Sequence, residues 1–113
     1  MNFSQNYSLK NYNTFGIDAK AKYFATFNSE EELTNLLGSK IIQKEPLLIL
    51  GGGSNILFTK DFDGLVLANE IKGTKIISEN KNYSTIKVGA GEVWHDFVLW
   101  SIEKNLSGIE NLA

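Results

Sequence analysis

The sequence contains neither cysteine nor arginine. Without cysteine there is no disulfide scaffold, no thiolate zinc site and no cysteine nucleophile, and the composition fits a cytoplasmic protein. Without arginine there is no planar fork for a phosphate or a guanine edge, because all eleven basic residues are lysine. The net charge is −2, so the basic face of a nucleic-acid reader is not expected. Histidine occurs once, as His95, too little for a histidine metal site, and no metal is predicted. Long apolar runs are also missing. The longest, residues 46–50, is strand-sized and far below the roughly 18 residues of a membrane-spanning segment. The opening Met1-Asn2-Phe3-Ser4-Gln5-Asn6 has no basic start and no apolar block, so it does not read as a signal peptide.

What remains is an ordinary globular composition, 42% apolar and 21% charged over 113 residues. A chain of this length can bury roughly 65% of its unfolded surface, enough for a real core. Lysine, asparagine and isoleucine fill 34 positions, a bias that AT-rich coding produces.

The patterning predicts an α+β chain. Residues 1–16 are polar and turn-rich and read as an irregular arm. Residues 22–27 alternate, with Tyr23, Ala25 and Phe27 on one face, and read as a strand. A helix follows: Ser29 is the N-cap, Glu32 completes a capping box, and Glu30 and Glu31 suit the positive helix end. Leu33, Leu36 and Leu37 form its apolar stripe, and Gly38 is the expected stop. Residues 46–50 form a continuous apolar run, expected as a strand buried on both faces. Asp63-Gly64 reads as a turn and residues 65–68 as another buried strand. Residues 75–78 and 85–88 read as a hairpin. Residues 92–105 read as a second helix with a broad apolar surface, whose Trp94 and Trp100 read as core rather than as a ligand platform, and Gly108 follows its end.

Two glycine segments stand out as candidate chemistry. Gly51-Gly52-Gly53-Ser54-Asn55 follows a strand, so successive N–H groups could converge into a nest for phosphate oxygens, with Ser54 and Asn55 as side-chain donors. No Gly-Lys-Ser/Thr follows, so it is not a P-loop, and the Rossmann spacing fails at Ile56. A plain glycine-rich surface turn competes with this reading. Gly89-Ala90-Gly91 joins a strand to a helix and suits either close approach to a flat ligand or a simple connection. His95 reads as a surface or packing residue. Asp61 and Asp63 read as turn formers, and Ser54 lacks the following glycine of a nucleophile elbow.

Five ordered motifs complete the picture. They are Asn13-Thr14-Phe15-Gly16-Ile17, Leu48-Ile49-Leu50-Gly51-Gly52-Gly53-Ser54-Asn55, Ile71-Lys72-Gly73, Val88-Gly89-Ala90-Gly91-Glu92 with Trp94-His95, and Gly108-Ile109-Glu110-Asn111-Leu112-Ala113. Together they make the chain resemble the N-terminal part of the UDP-N-acetylenolpyruvoylglucosamine reductase family, from about Asn13 to Ala113. The resemblance implies an FAD-binding domain of the vanillyl-alcohol-oxidase type, with a small β-α-β-β lobe and then the start of a second, antiparallel lobe. The implied division is an arm over 1–16, a first lobe over 17–70 and a truncated second lobe over 71–113. By the same resemblance, Leu50, Gly51, Gly52, Gly53, Ser54 and Asn55 hold the FAD diphosphate, and Gly89, Ala90 and Gly91 line the flavin side.

The resemblance also implies NADPH as co-substrate, a UDP-sugar enolpyruvate as substrate and a role in peptidoglycan precursor synthesis. The catalytic serine, arginine and glutamate of the family belong to a stretch after Asn-Leu-Ala, so no catalytic residue is assigned here. The chain is therefore expected to be an inactive N-terminal fragment that self-associates through an unpaired hairpin edge and a partly uncovered last helix. Another flavin oxidase of the same superfamily and a non-enzymatic α+β binding module are the rival readings.

Overall fold

The computed structural model describes residues 3–52 and 56–109. Its elements are β1 (Ser4–Ser8), β2 (Lys20–Phe27), α1 (Glu30–Leu37), α2 (Lys40–Lys44), β3 (Leu47–Leu50), β4 (Phe62–Asn69), β5 (Thr74–Glu79), β6 (Ser84–Val88) and α3 (Trp94–Glu103), with one 3-10 turn at Lys10–Tyr12. The first four strands form one sheet in the order β1-β2-β4-β3, and β5-β6 form a separate hairpin. The Cα radius of gyration is 16.6 Å, against about 13 Å for a compact domain of this length. The two sheets do not share one core.

In the first sheet, β2, β3 and β4 run parallel and β1 is antiparallel to β2. β2 and β4 are the central strands, and both carry buried apolar side chains on each face. On one face Leu9, Phe24, Leu50, Phe58 and Val66 pack together. On the other, Phe27, Leu65 and Leu67 meet Leu36 of α1, with Ile41 and Ile42 of α2 beside them. Leu65, Val66 and Leu67 are fully buried, each contributing about 1.5–3 kcal/mol of burial.

The predicted cap of α1 is present. Ser29 Oγ accepts from Glu32 N–H at 3.1 Å, while Glu32 Oε2 accepts from Asn28 N–H at 2.7 Å. Gly38 ends the helix in a right-handed conformation. There Ser39 already caps α2, which the sequence reading missed. The hairpin over β5 and β6 lies where the alternation placed it. α3 is shorter than predicted and ends in a Schellman motif. Asn105 adopts a left-handed φ of 59° and Leu106 N–H donates to Ser101 O at 2.8 Å, so the stop lies at Asn105 rather than Gly108.

Four expectations are corrected. The expected irregular arm is instead ordered over residues 4–12, where β1 pairs along β2, Leu9 is fully buried and a 3-10 turn follows. The run at 46–50 is not buried on both faces. β3 is an edge strand, with Leu47 40% and Ile49 52% exposed. Asp63-Gly64 is not a turn; both residues lie within β4, where the β2–β4 register shifts by one. A Cβ on Gly64 would collide with the Pro46 carbonyl oxygen, which Leu65 N–H bonds at 2.8 Å, so glycine admits a bulge under a close backbone approach. Trp94 is not core, being half exposed.

Candidate functional site

Parallel pairing brings the carboxyl ends of β2, β3 and β4 to one end of the sheet. Phe27 stands opposite Asn69, and Leu50 opposite Ala68. The turn beginning at Gly51 and the segment 69–73 therefore leave the sheet side by side. This is the end at which open α/β sheets bind ligands.

Segment 69–73 acts as a strap for the second glycine segment. Gly91 N–H donates to Ile71 O and Gly89 N–H to Gly73 O, both at 2.8 Å. Ile71 packs against the first-lobe core, and its N–H is bound by Asn69 Oδ1 at 3.0 Å, which sets the bend. The seating is too close for any side chain. A Cβ on Gly91 would stand 2.5 Å from the Glu70 carbonyl carbon, and one on Gly89 would overlap the Ile71 carbonyl oxygen. Lys72 Nζ donates to Gly91 O at 2.5 Å.

The strap carries residues 89–91 to the Gly51 turn. A Cβ on Gly51 would lie 3.7 Å from Ala90 O, and one on Gly52 would meet nothing within 4 Å. So the two glycine segments predicted from the sequence come together, 38 positions apart along the chain, with open space over Gly52 and an exposed Ala90. Leu50 is different. Its side chain is buried in the first-lobe core, which leaves its backbone for any ligand. Gly53, Ser54 and Asn55 lie outside the described residues.

A groove of about 330 Å³ adjoins the strap, lined by Glu30, Ile71, Lys72, Lys87, Gly89 and Ala90. A larger cavity, about 610 Å³, is lined by Tyr7, Tyr12 and Phe24 together with Thr26 and Asn28 at the carboxyl end of β2. Tyr7 stacks on Phe24 with centroids 4.3 Å apart. Burial pushes the Tyr12 hydroxyl above its ordinary pKa, and Tyr7 and Glu70 add to the shift. The backbone geometry at the glycine turns, rather than cavity size, decides which of these is the candidate site. Among the described residues no group of histidine, aspartate and glutamate could hold a metal ion. His95 is exposed on α3. Asp61 is a structural acceptor, its Oδ1 taking Lys20 N–H at 2.9 Å.

The arrangement fits a dinucleotide. A diphosphate is held by backbone N–H donors without needing arginine, and a flat ring needs a wall free of side chains. The structure leaves open space over Gly52 and seats Gly89 and Gly91 too closely for a side chain at either.

The comparison with family models agrees with this geometry. A model described as "FAD binding domain" matches residues 21–113. The chain belongs to the FAD binding domain family. FAD is the cofactor of that family, and the α+β architecture of this FAD binding domain follows the predicted class. The UDP-N-acetylenolpyruvoylglucosamine reductase of Flavobacterium johnsoniae is 51% identical over 113 residues, covering 100% of this chain and 33% of that protein. The reductase of the same name from Amoebophilus asiaticus is 45% identical over the same span. The crystal structure of the reductase from Thermus caldophilus matches with a TM-score of 0.65 and 25% identity, covering 99% of this chain and 37% of that one. The chain thus spans about a third of the length of the curated relatives it matches.

Proposed function

We propose that these residues form the FAD-holding N-terminal part of a UDP-N-acetylenolpyruvoylglucosamine reductase. The observation that carries the reading is the meeting of the Gly51 turn with residues 89–91 at the carboxyl end of the sheet. The 51% identity to a reductase of that name along the whole chain supports it. In this reading Leu50 through its backbone, with Gly51, Gly52, Gly53, Ser54 and Asn55, holds the diphosphate of FAD. Gly89, Ala90 and Gly91 form the wall beside the flavin. The flavin supplies hydride-transfer chemistry, with NADPH as reductant and the UDP-sugar enolpyruvate as acceptor, in peptidoglycan precursor synthesis in the cytoplasm.

This stretch positions and encloses. It holds the cofactor with backbone amides and keeps side chains out of the ring's path, and no catalytic residue is assigned to it. The 113 residues alone are therefore expected to be inactive. The division into a first lobe over 17–70 and a second beginning at 71 follows the same reading. Its support is the change from the four-stranded sheet to the separate hairpin across the strap. Alone, the chain is expected to self-associate through the outer face of α3, where Leu99 and Ile102 are half exposed, and through the edge of the β5–β6 hairpin.

The test uses a reductase-length protein that carries this stretch. It should retain FAD and consume NADPH only when the enolpyruvyl sugar nucleotide is present. Retention of FAD with turnover driven by dioxygen, and none by that substrate, would instead favour an oxidase of the same superfamily.

A further inference from the structure

Gly91 is held at both ends of its own residue by consecutive positions of the strap. Its N–H goes to Ile71 O, and its carbonyl takes the Lys72 ammonium. Gly89 is tied to the strap by its N–H alone, which donates to Gly73 O. A glycine has the widest backbone freedom of any residue, so a Gly-Ala-Gly wall is the element least able to hold its own shape. The close seating forbids a Cβ at either glycine, so the usual way of stiffening such a turn is closed. Lys72 is the one side chain that bonds this segment among the described residues.

We propose that Lys72 is a positioning residue for FAD, acting through the Gly91 carbonyl to keep residues 89–91 in the shape the flavin meets. The inference rests on the FAD site proposed above and adds a residue that does not touch the cofactor. Pre-organising a wall lowers the ordering that binding must otherwise impose, so its loss weakens affinity without removing a ligand contact. A long apolar stem at position 72 can fill the same groove beside Lys87 and Ala90, but it cannot donate to the carbonyl.

The test compares wild type, Lys72→Met and Lys72→Arg in a reductase-length protein, reading FAD affinity, the visible absorption band of bound flavin and apo-protein melting. Wild type should bind FAD. Lys72→Met should bind it about three- to tenfold more weakly, as expected for one lost charge-assisted hydrogen bond at an exposed site. Its flavin band should shift while its apo melting temperature stays at the wild-type value. Lys72→Arg, which keeps an N–H donor, should restore affinity and spectrum. Wild-type affinity and spectrum in Lys72→Met would overturn the inference while leaving the FAD site standing. So would a loss of affinity that only tracks a loss of apo stability. No FAD binding by wild type would remove the proposed function itself, and this inference with it.

Discussion

Alanine at Gly91 and alanine at Gly52 should have opposite consequences, although both replace a glycine in the same site. At Gly91 the new methyl would stand 2.5 Å from the Glu70 carbonyl carbon, 2.6 Å from its Cα and 2.7 Å from Asn69 O. All three are backbone atoms of the strap, so no side chain can swing away. The turn must move by roughly an ångström to reach ordinary contact, and overpacking of this kind costs about 1–3 kcal/mol. The movement also strains the bond from Gly91 N–H to Ile71 O, now 2.8 Å, worth about 0.5–1.5 kcal/mol. Gly91→Ala should therefore destabilise the protein by roughly 1.5–4.5 kcal/mol. At Gly52 a methyl meets nothing within 4 Å, so Gly52→Ala should leave stability within about 0.5 kcal/mol of wild type. It should nonetheless weaken FAD binding at least tenfold, because it occupies the space a diphosphate would fill. Urea unfolding of the apo-protein followed by tryptophan fluorescence, together with FAD titration, reads both effects. A wild-type unfolding midpoint for Gly91→Ala, or wild-type FAD affinity for Gly52→Ala, would refute the reasoning.

Other perturbations probe the frame that carries the site. Asn13 is buried and its side chain makes three bonds, to Leu9 O, Ile17 O and Ile17 N–H. Asn13→Ala should cost about 2–4 kcal/mol in urea unfolding, since it orphans buried backbone groups. The pKa of Tyr12 is raised by burial and then by Tyr7 and Glu70. A raised pKa means the folded state keeps the proton that the unfolded chain releases. Stability from Tyr12 should thus be complete below about pH 10 and fall as pH rises through the folded-state value. Tyr12→Phe should remove that alkaline loss in pH-dependent melting. In sedimentation, replacing Leu99 and Ile102 on the outer face of α3 by lysine should shift the isolated chain toward monomer, and an unchanged distribution would exclude that face as the contact.

Much of the fold was legible because local chemistry decides it. The Ser29 cap with Glu32, the alternation of the hairpin and the glycines after a strand all act within a few residues of themselves. What was missed depends on neighbours far along the chain. The run at 46–50 and the core of β4 look alike in sequence, but β4 sits between two strands and β3 at an edge. Gly64 carries the same Asp-Gly signature as a turn, and only the approach of the Pro46 carbonyl makes it a bulge instead. β1 is polar because an edge strand needs no continuous apolar face, so its alternation has little to show. At the site, both glycine segments could be picked out as candidates, and the motif Ile71-Lys72-Gly73 was visible only as a family anchor. That it forms the strap joining them follows from parallel pairing, which sets where residue 69 emerges relative to Gly51.

The central claim is that FAD is held where the Gly51 turn meets residues 89–91. Amide hydrogen exchange of the reductase-length protein, with and without FAD, tests it most directly. Protection should rise in peptides covering residues 50–55 and 88–92 and stay unchanged around Tyr7, Tyr12 and Phe24. Protection appearing at that aromatic cavity, with none at the two glycine turns, would contradict the account.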